Sequence, residues 1–564
     1  MCGIAGVING QVAAADLIAA LLHRGPDGVR TETLPGISLA HARLSIIDLE
    51  GGWQPLHAAG SVVIGNGEIY NYLELARDHG LEGSLATGSD FEPLLHLYAR
   101  EGPDAFRRLR GMYAFCLVGG DGRTWLVRDP FGIKPLYLLE RDGAVLFASE
   151  PRAFLEAGLV DPVMDAAAAE DLLGLSYTTG QATIFPALRR MAPGEILEVT
   201  PGGLVPHEPR PALPARRANR GGVEADLVAR LDDLLEDSVR VHQRSDAPYG
   251  LFLSGGIDSA AIAVLMARLA ERPVTAFTCG FDAPGAADER SQAEKVARAL
   301  DLDWREVRFD EAEFWRLLPK VAWALDDPTA DYAALPTFRL AEAARDTLKV
   351  VLTGEGGDEL FGGYGRYRRA LRPAFLGGRP AEPRPDHPEV LARWRESGRP
   401  PRGLTPLQSA QWSDTATWLP NDLLIKLDRC LMANGMEGRT PFLDPEVADF
   451  AFTLPDRFKV RGRFGKYLLR AWLAGVCPVA APWARKQGFT VPVEAWIGPR
   501  AADIAARISK VEAIHRLRSP EAVAAAFAPG GKGAWPLLFL AVWSLIHLEG
   551  ADPTAALEAC TGRV

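Results

Sequence analysis

Cysteine is scarce in this 564-residue chain and never paired: the six residues stand at 2, 116, 279, 430, 477 and 560. That spacing excludes a disulfide framework and a zinc-ribbon ligand set, and it points to a reducing compartment, the cytoplasm. Long hydrophobic runs are missing as well. The longest, Pro536 to Leu548, falls short of the ~20 residues a membrane span needs and reads as a buried C-terminal helix. No basic residue precedes Arg24, so the start lacks the pattern of a signal peptide. Basic charge is in deficit, 62 Lys and Arg against 72 Asp and Glu, for a formal net charge of −10. This leaves no electrostatic footprint for nucleic acid, since the arginines between 210 and 220 are few and diluted by proline. No internal repeat is present.

What the chain does have is core material. With 48% hydrophobic residues it can bury two sizeable cores. The lowest-order stretch, from Pro201 to Gly222, is rich in Pro, Gly and Arg and reads as a linker, with a boundary near residue 205 and domains of 1–205 and 206–564. A second Pro- and Arg-rich interval, Arg372 to Gly403, reads as a surface excursion of the second domain near its site.

The start, Met1-Cys2-Gly3-Ile4-Ala5-Gly6, becomes an N-terminal cysteine once the initiator methionine is removed. Such a residue holds nucleophile and base together. A thiol has a pKa of ~8.5 and an α-amine ~7.7–8.0, so the amine can take the thiol proton as attack begins. Oxyanion donors and amino-acid-binding groups follow in order. His41 to Asp48 reads as a strand carrying Arg43, whose planar fork suits a carboxylate. In Gly65-Asn66-Gly67-Glu68-Ile69-Tyr70-Asn71 a glycine N–H beside an asparagine amide makes an oxyanion hole, with Glu68 facing an ammonium. Asp90 supplies a second acid. Singly, these residues also read as a salt bridge, a hairpin turn and a helix N-cap. Short alternating runs such as Gly111 to Val118, Thr124 to Val127 and Ala144 to Phe147 argue for antiparallel strands.

Together with Arg24-Gly25-Pro26-Asp27 and the run from Arg128 to Tyr137, this order closely resembles the glutaminase domain of N-terminal-nucleophile amidotransferases. The resemblance implies an αββα antiparallel sandwich of four layers. It also implies Cys2 as nucleophile with its own amine as base, Asn66 and Gly67 as oxyanion hole, Arg43 on the glutamine carboxylate, and Glu68 and Asp90 on its amino group.

Tyr249 to Phe252 is an apolar strand running into Leu253-Ser254-Gly255-Gly256-Ile257-Asp258-Ser259, with a helix expected from Ala260 to Leu269. Adjacent glycines let backbone N–H groups approach phosphate, the helix start adds its positive dipole end, Ser254 and Ser259 add hydroxyls, and Asp258 suits magnesium. The lysine of a Walker A loop is absent, so the loop is of the pyrophosphate type that serves cleavage of ATP between its α and β phosphates. A second apolar strand, from Lys349, ends in Thr353-Gly354-Glu355-Gly356-Gly357-Asp358-Glu359. Three acids so close call for a cation or a substrate ammonium among them.

Later come Asp428 in Lys426-Leu427-Asp428-Arg429, Met436 to Asp444, and Lys466 in Gly465-Lys466-Tyr467. With these, nearly the full length resembles the glutamine-hydrolysing asparagine synthetase family. The resemblance implies a doubly wound parallel α/β domain with C-terminal helices behind the front sandwich. It implies that Ser254, Gly255, Gly256, Asp258 and Ser259 bind phosphates, and that Asp258 and Asp358 hold Mg2+. Phe252, Cys279, Thr353 and Gly354 would contact the nucleotide largely through backbone. Glu355 would assist ammonia's attack on an acyl-adenylate and Lys466 would steady charge developing on phosphate. The implied substrates are glutamine, ATP and a carboxylate acceptor, with an internal ammonia channel and a possible homodimer. Aspartate is the favoured acceptor. The segment Leu325 to Tyr332, where the acceptor pocket is expected, lacks the Thr-Thr-Ile-Arg-like run of aspartate synthetases, so a peptide, sugar acid or other biosynthetic carboxylate is the alternative. A catalytically idle, metabolite-binding regulator is a third reading.

Overall fold

The structure is a computed structural model that describes residues 2–215, 221–281, 289–485 and 491–562; the middle of the expected linker, 216–220, lies outside the described residues. Its first strands are β1 (Gly3–Ile8), β2 (Gly28–Leu34), β3 (Ile37–Arg43), β4 (Leu56–Ala58), β5 (Ser61–Ile69), β6 (Gly111–Val118) and β7 (Thr124–Arg128). They are followed by β8 (Tyr137–Arg141), β9 (Ala144–Ala148), β10 (Arg189–Arg190), β11 (Ile196–Thr200) and β12 (Gly203–Pro206). Two six-stranded antiparallel sheets result, ordered β10-β8-β9-β1-β3-β2 and β12-β11-β7-β6-β5-β4.

Strand alternation sorts the side chains into three apolar layers. From β1, Ile4 and Ile8 point between the sheets, against Val62, Ile64 and Leu126. Ala5 and Val7 point the other way, onto Leu17 and Leu21 of the outer helical layer. On the far side Phe115 and Trp125 pack against Leu94, Tyr98 and Phe106. The alternation expected of these runs is not what the structure shows: burial on both faces makes them nearly continuous apolar strands. The four-layer sandwich expected from the resemblance is the fold.

The rear sheet is parallel: β13 (Tyr249–Phe252), β14 (Thr275–Phe281), β15 (Asp303–Phe309), β16 (Val350–Leu352) and β17 (Glu437–Arg439). Its order is β15-β14-β13-β16-β17. The chain winds outward from β13 to β15, then returns to the opposite flank of β13. The direction of winding therefore reverses between β13 and β16, and a crevice opens at their carboxyl ends, where open α/β sheets place ligands.

Six helices bear on function: α1 (Ala166–Leu175), α2 (Ile257–Leu269), α3 (Pro388–Ser397), α4 (Pro406–Ala416), α5 (Leu424–Met432) and α6 (Tyr467–Val476). Helix α2 starts three residues earlier than the sequence suggests, so Asp258 and Ser259 sit in its first turn. The 372–403 interval is less of an excursion than expected: α3 braces the front domain, where Arg393 of α3 pairs with the buried Asp171 of α1 at 2.6 Å. The run 534–547 forms a helix buried beneath the rear sheet, and among the described residues no helix is long and apolar enough to cross a membrane.

The two halves are locked by buried charge. Arg24 reaches Asp428 of α5 at 2.8 Å and, within its own half, Glu150 at 2.7 Å, and Arg429 approaches Glu150 at 3.6 Å. Arg190 donates through Nε to Asp327 at 3.0 Å. Removing one partner from such a pair strands the other charge out of water, at a cost of about 3–5 kcal/mol.

Candidate active site

Cys2 stands at the head of β1, buried, and its backbone nitrogen donates to Asn66 Oδ1 at 3.1 Å. Asn66 lies on β5, fully buried, and its Nδ2 has no hydrogen-bond partner among the described residues. Gly67, next along, has φ +134°, and a Cβ there would lie 2.0 Å from the Met112 carbonyl, so only glycine fits. Asn66 and Gly67 thus belong to a strand and not to a hairpin turn. Burial pushes the Cys2 thiol up, opposed by the positive chain terminus and by the Leu44 N–H. Arg24 donates through Nε to the Cys2 carbonyl at 3.2 Å, a contact that sequence reasoning missed.

The strand expected from His41 to Asp48 ends at Arg43. Beyond it the chain turns through Asp48, whose carboxylate accepts the Gly51 and Gly88 N–H groups at 2.9 and 2.8 Å. Arg43 donates to the Leu49 carbonyl at 3.2 Å and lies 4.7 Å over the Trp53 ring, so it is no surface salt bridge. Glu68 and Asp90 are both buried. Asp90 accepts the Ile69 N–H at 2.7 Å, and burial, reinforced by the Glu437 charge, lifts it to about 7. Burial and the Asp90 charge likewise raise Glu68. Its partner comes from the other half of the molecule: Arg439 of β17 approaches Glu68 Oε1 at 3.3 Å. The Arg128–Tyr137 motif proves structural, with Asp129 accepting the N–H groups of Phe131, Ile133 and Lys134 at 3.0 Å.

In the rear crevice, the loop after β13 is tied to the start of α2. Ser254 Oγ and Ser259 Oγ are 2.9 Å apart, and Gly256 N–H donates to Ser254 Oγ at 3.1 Å. The loop after β16 packs directly on it: a Cβ on Gly354 would lie 2.9 Å from Asp258 Cβ. Phe252 and Cys279 are buried at the ends of β13 and β14, and burial pushes the Cys279 thiol up to about 12, leaving it inert. Thr353 N–H donates to the Arg439 carbonyl at 2.9 Å. Lys466, held at φ +53° at the start of α6, bridges Asp258 and Asp358, with Nζ 2.6 Å from Asp358 Oδ1. Burial alone would lower this lysine; the two carboxylates more than offset it and keep it charged. Burial raises Glu355, the Lys426 charge opposing it. Lys426 of α5 pairs with Asp331 at 2.7 Å, a second contact that the sequence did not disclose.

Asp258 and Asp358 converge on one cation and carry hard oxygen donors, which fits Mg2+ bound by two carboxylates plus substrate phosphates. No group of three or more His, Cys, Asp or Glu suited to a metal occurs among the described residues.

Comparison with known proteins matches both halves of the chain. Residues 1–208 match the glutamine amidotransferase domain family and residues 230–548 the asparagine synthase family. The chain is 32% identical to asparagine synthetase [glutamine-hydrolyzing] 1 of Bacillus subtilis, with 97% of each chain covered. It is 28% identical to the amidase chyE of Penicillium rubens, covering 85% of this chain and 83% of that one. Among solved structures, the glutamine phosphoribosylpyrophosphate amidotransferase of B. subtilis is 18% identical, with a TM-score of 0.27 over 54% of this chain and 65% of that one, too distant to argue from. The chain belongs to the glutamine-hydrolysing asparagine synthetase family and is an amide-forming ligase carrying its own glutamine amidotransferase domain.

Proposed function

We propose that the protein hydrolyses glutamine at Cys2 and passes the ammonia to a carboxylate activated by ATP, aspartate first among acceptors. The observation that carries the front half is Asn66, which holds the Cys2 nitrogen with Oδ1 while its Nδ2 has no partner among the described residues. Once Met1 is removed, that nitrogen is an α-amine, positioned to accept the thiol proton as sulfur attacks the glutamine amide carbon. Asn66 Nδ2 and the Gly67 N–H then receive the oxyanion. Collapse expels ammonia and leaves a thioester, which water opens to glutamate. Arg43 takes the glutamine carboxylate; Glu68 and Asp90 take its ammonium.

In the rear, the Ser254–Ser259 turn and the start of α2 bind the phosphates. Asp258 and Asp358 would hold Mg2+, which supplies neutralisation of pyrophosphate charge. The acceptor carboxylate attacks the α-phosphate, pyrophosphate leaves, and ammonia, assisted by Glu355, displaces AMP from the acyl-adenylate. Lys466 keeps a positive charge beside the phosphates. A domain boundary near 205 and a cytoplasmic homodimer belong to the same reading.

The 325–332 segment favours a second reading, in which the same chemistry serves a carboxylate other than aspartate; the amidase name of one relative is in keeping with it. Incubation with glutamine, ATP and aspartate separates the two. Asparagine with equimolar AMP supports aspartate. Pyrophosphate release with another carboxylate alone supports the second reading.

A further inference from the structure

Arg43, assigned to the glutamine carboxylate, is the last residue of β3. Strand register therefore fixes it from one side only, and what holds the chain just beyond it decides where its guanidinium points. That hold comes from the rear half. Asp246, just ahead of β13, accepts the Asp48 N–H on Oδ2 at 2.7 Å and donates its own N–H to the Ile46 carbonyl at 2.9 Å. Between these two ties the chain turns, with Asp48 at φ +49°. The carbonyls of the turn, Asp48 at 2.5 Å and Leu49 at 3.2 Å, take N–H groups of the Arg43 guanidinium. A second tie comes from Lys349, immediately before β16: it pairs with Asp27 at 2.8 Å, and Asp27 accepts the Ser45 N–H at 2.7 Å. Asp246 is itself anchored, because its near neighbour Arg244 forks onto Glu74 of the front half at 2.6 and 2.7 Å and donates to the Tyr70 carbonyl.

We propose that Asp246 and Lys349 are positioning residues for glutamine: from the synthetase half they set the 45–49 turn, which aims Arg43 at the substrate carboxylate. The inference rests on Arg43 binding that carboxylate. A planar guanidinium grips a carboxylate through two parallel N–H groups, so a small change in its direction weakens the grip. Cys2 stands at the head of β1 and Asn66 on β5, away from the turn, so the loss of either tie falls on the binding of glutamine and not on attack by sulfur. The pocket for the amino-acid head is thereby completed by the half of the molecule that consumes the ammonia.

The test is steady-state glutamate release by the full chain, with ammonia-dependent AMP formation as the reference. Asp246→Ala is expected to raise the KM for glutamine about fivefold and Lys349→Met about threefold, each with kcat within about twofold of the wild type and ammonia-dependent AMP formation unchanged. Asp246→Asn keeps an oxygen for the Asp48 N–H and should return the KM to within about twofold of the wild type. Arg43→Gln, the control for the carboxylate assignment, should raise the KM further than either. A KM that Asp246→Ala or Lys349→Met leaves unchanged, while Arg43→Gln raises it, overturns the proposal and spares the assignment of Arg43. A KM that Arg43→Gln itself leaves unchanged removes that assignment and the proposal with it. A joint fall of kcat and of ammonia-dependent AMP formation, or a KM that Asp246→Asn does not restore, marks a general loosening of the fold and also overturns the proposal.

Discussion

The front and rear sites hold their reactive groups by different means. In front, Cys2 at the head of β1 and the Asn66-Gly67 pair on β5 are held by strands buried on both faces, so backbone register places them. In the rear, the Ser254–Ser259 turn and the acidic loop leave the carboxyl ends of β13 and β16, and a lysine between two carboxylates holds them together. A site built on strands is set by the core that surrounds it. One built on loops is set by its own charges, and responds when one of them is removed.

Substitutions can break that contrast. The largest effect is expected from Cys2→Ala, which should lower glutamine-dependent synthesis about 10⁴-fold or more while ammonia-dependent synthesis, read as AMP formed with ammonium chloride, persists. Lys466→Met should do the converse, lowering AMP formation about 10²–10³-fold and leaving glutamate release intact. Arg439→Gln sharpens the comparison, because the residue belongs to the rear sheet and its partner to the front. It should raise the KM for glutamine about tenfold and leave the nucleotide KM little changed, since Glu68 loses its opposing charge.

The smallest expected effect concerns pH. Asp90 titrates near 7 in the folded chain and near 3.9 unfolded, so between these values the folded state binds the extra proton. This residue's contribution to stability therefore falls as pH rises from about 4 to about 7. Asp90→Asn removes that dependence, and its urea midpoint should gain on that of the wild type between pH 5 and pH 8.

Local patterns made part of this legible. Cys2, the Asn66-Gly67 pair and the Ser254–Ser259 turn are contiguous, and each residue type has a chemical reason to be where it is. The short apolar runs disclosed the strands, although burial of both faces makes them nearly continuous and not alternating. Arg439 against Glu68, Arg24 against the Cys2 carbonyl, and Lys426 against Asp331 were not legible, because each joins segments far apart in sequence and local spacing says nothing of such a meeting. The strand through Arg43 was read too long for a related reason: Asp48 turns the chain with hydrogen bonds to Gly51 and to the distant Gly88. The Arg128–Tyr137 motif contributed to the resemblance without a role of its own, and its acid serves a backbone turn.

The most direct test supplies [amide-15N]glutamine, ATP, aspartate and an excess of unlabelled ammonium, and reads the product amide by mass spectrometry. Asparagine is expected to carry predominantly 15N, with one AMP per amide, and Cys2→Ala to yield only unlabelled product. Amide nitrogen drawn from the bulk pool by both proteins, or label transferred without AMP, would contradict it.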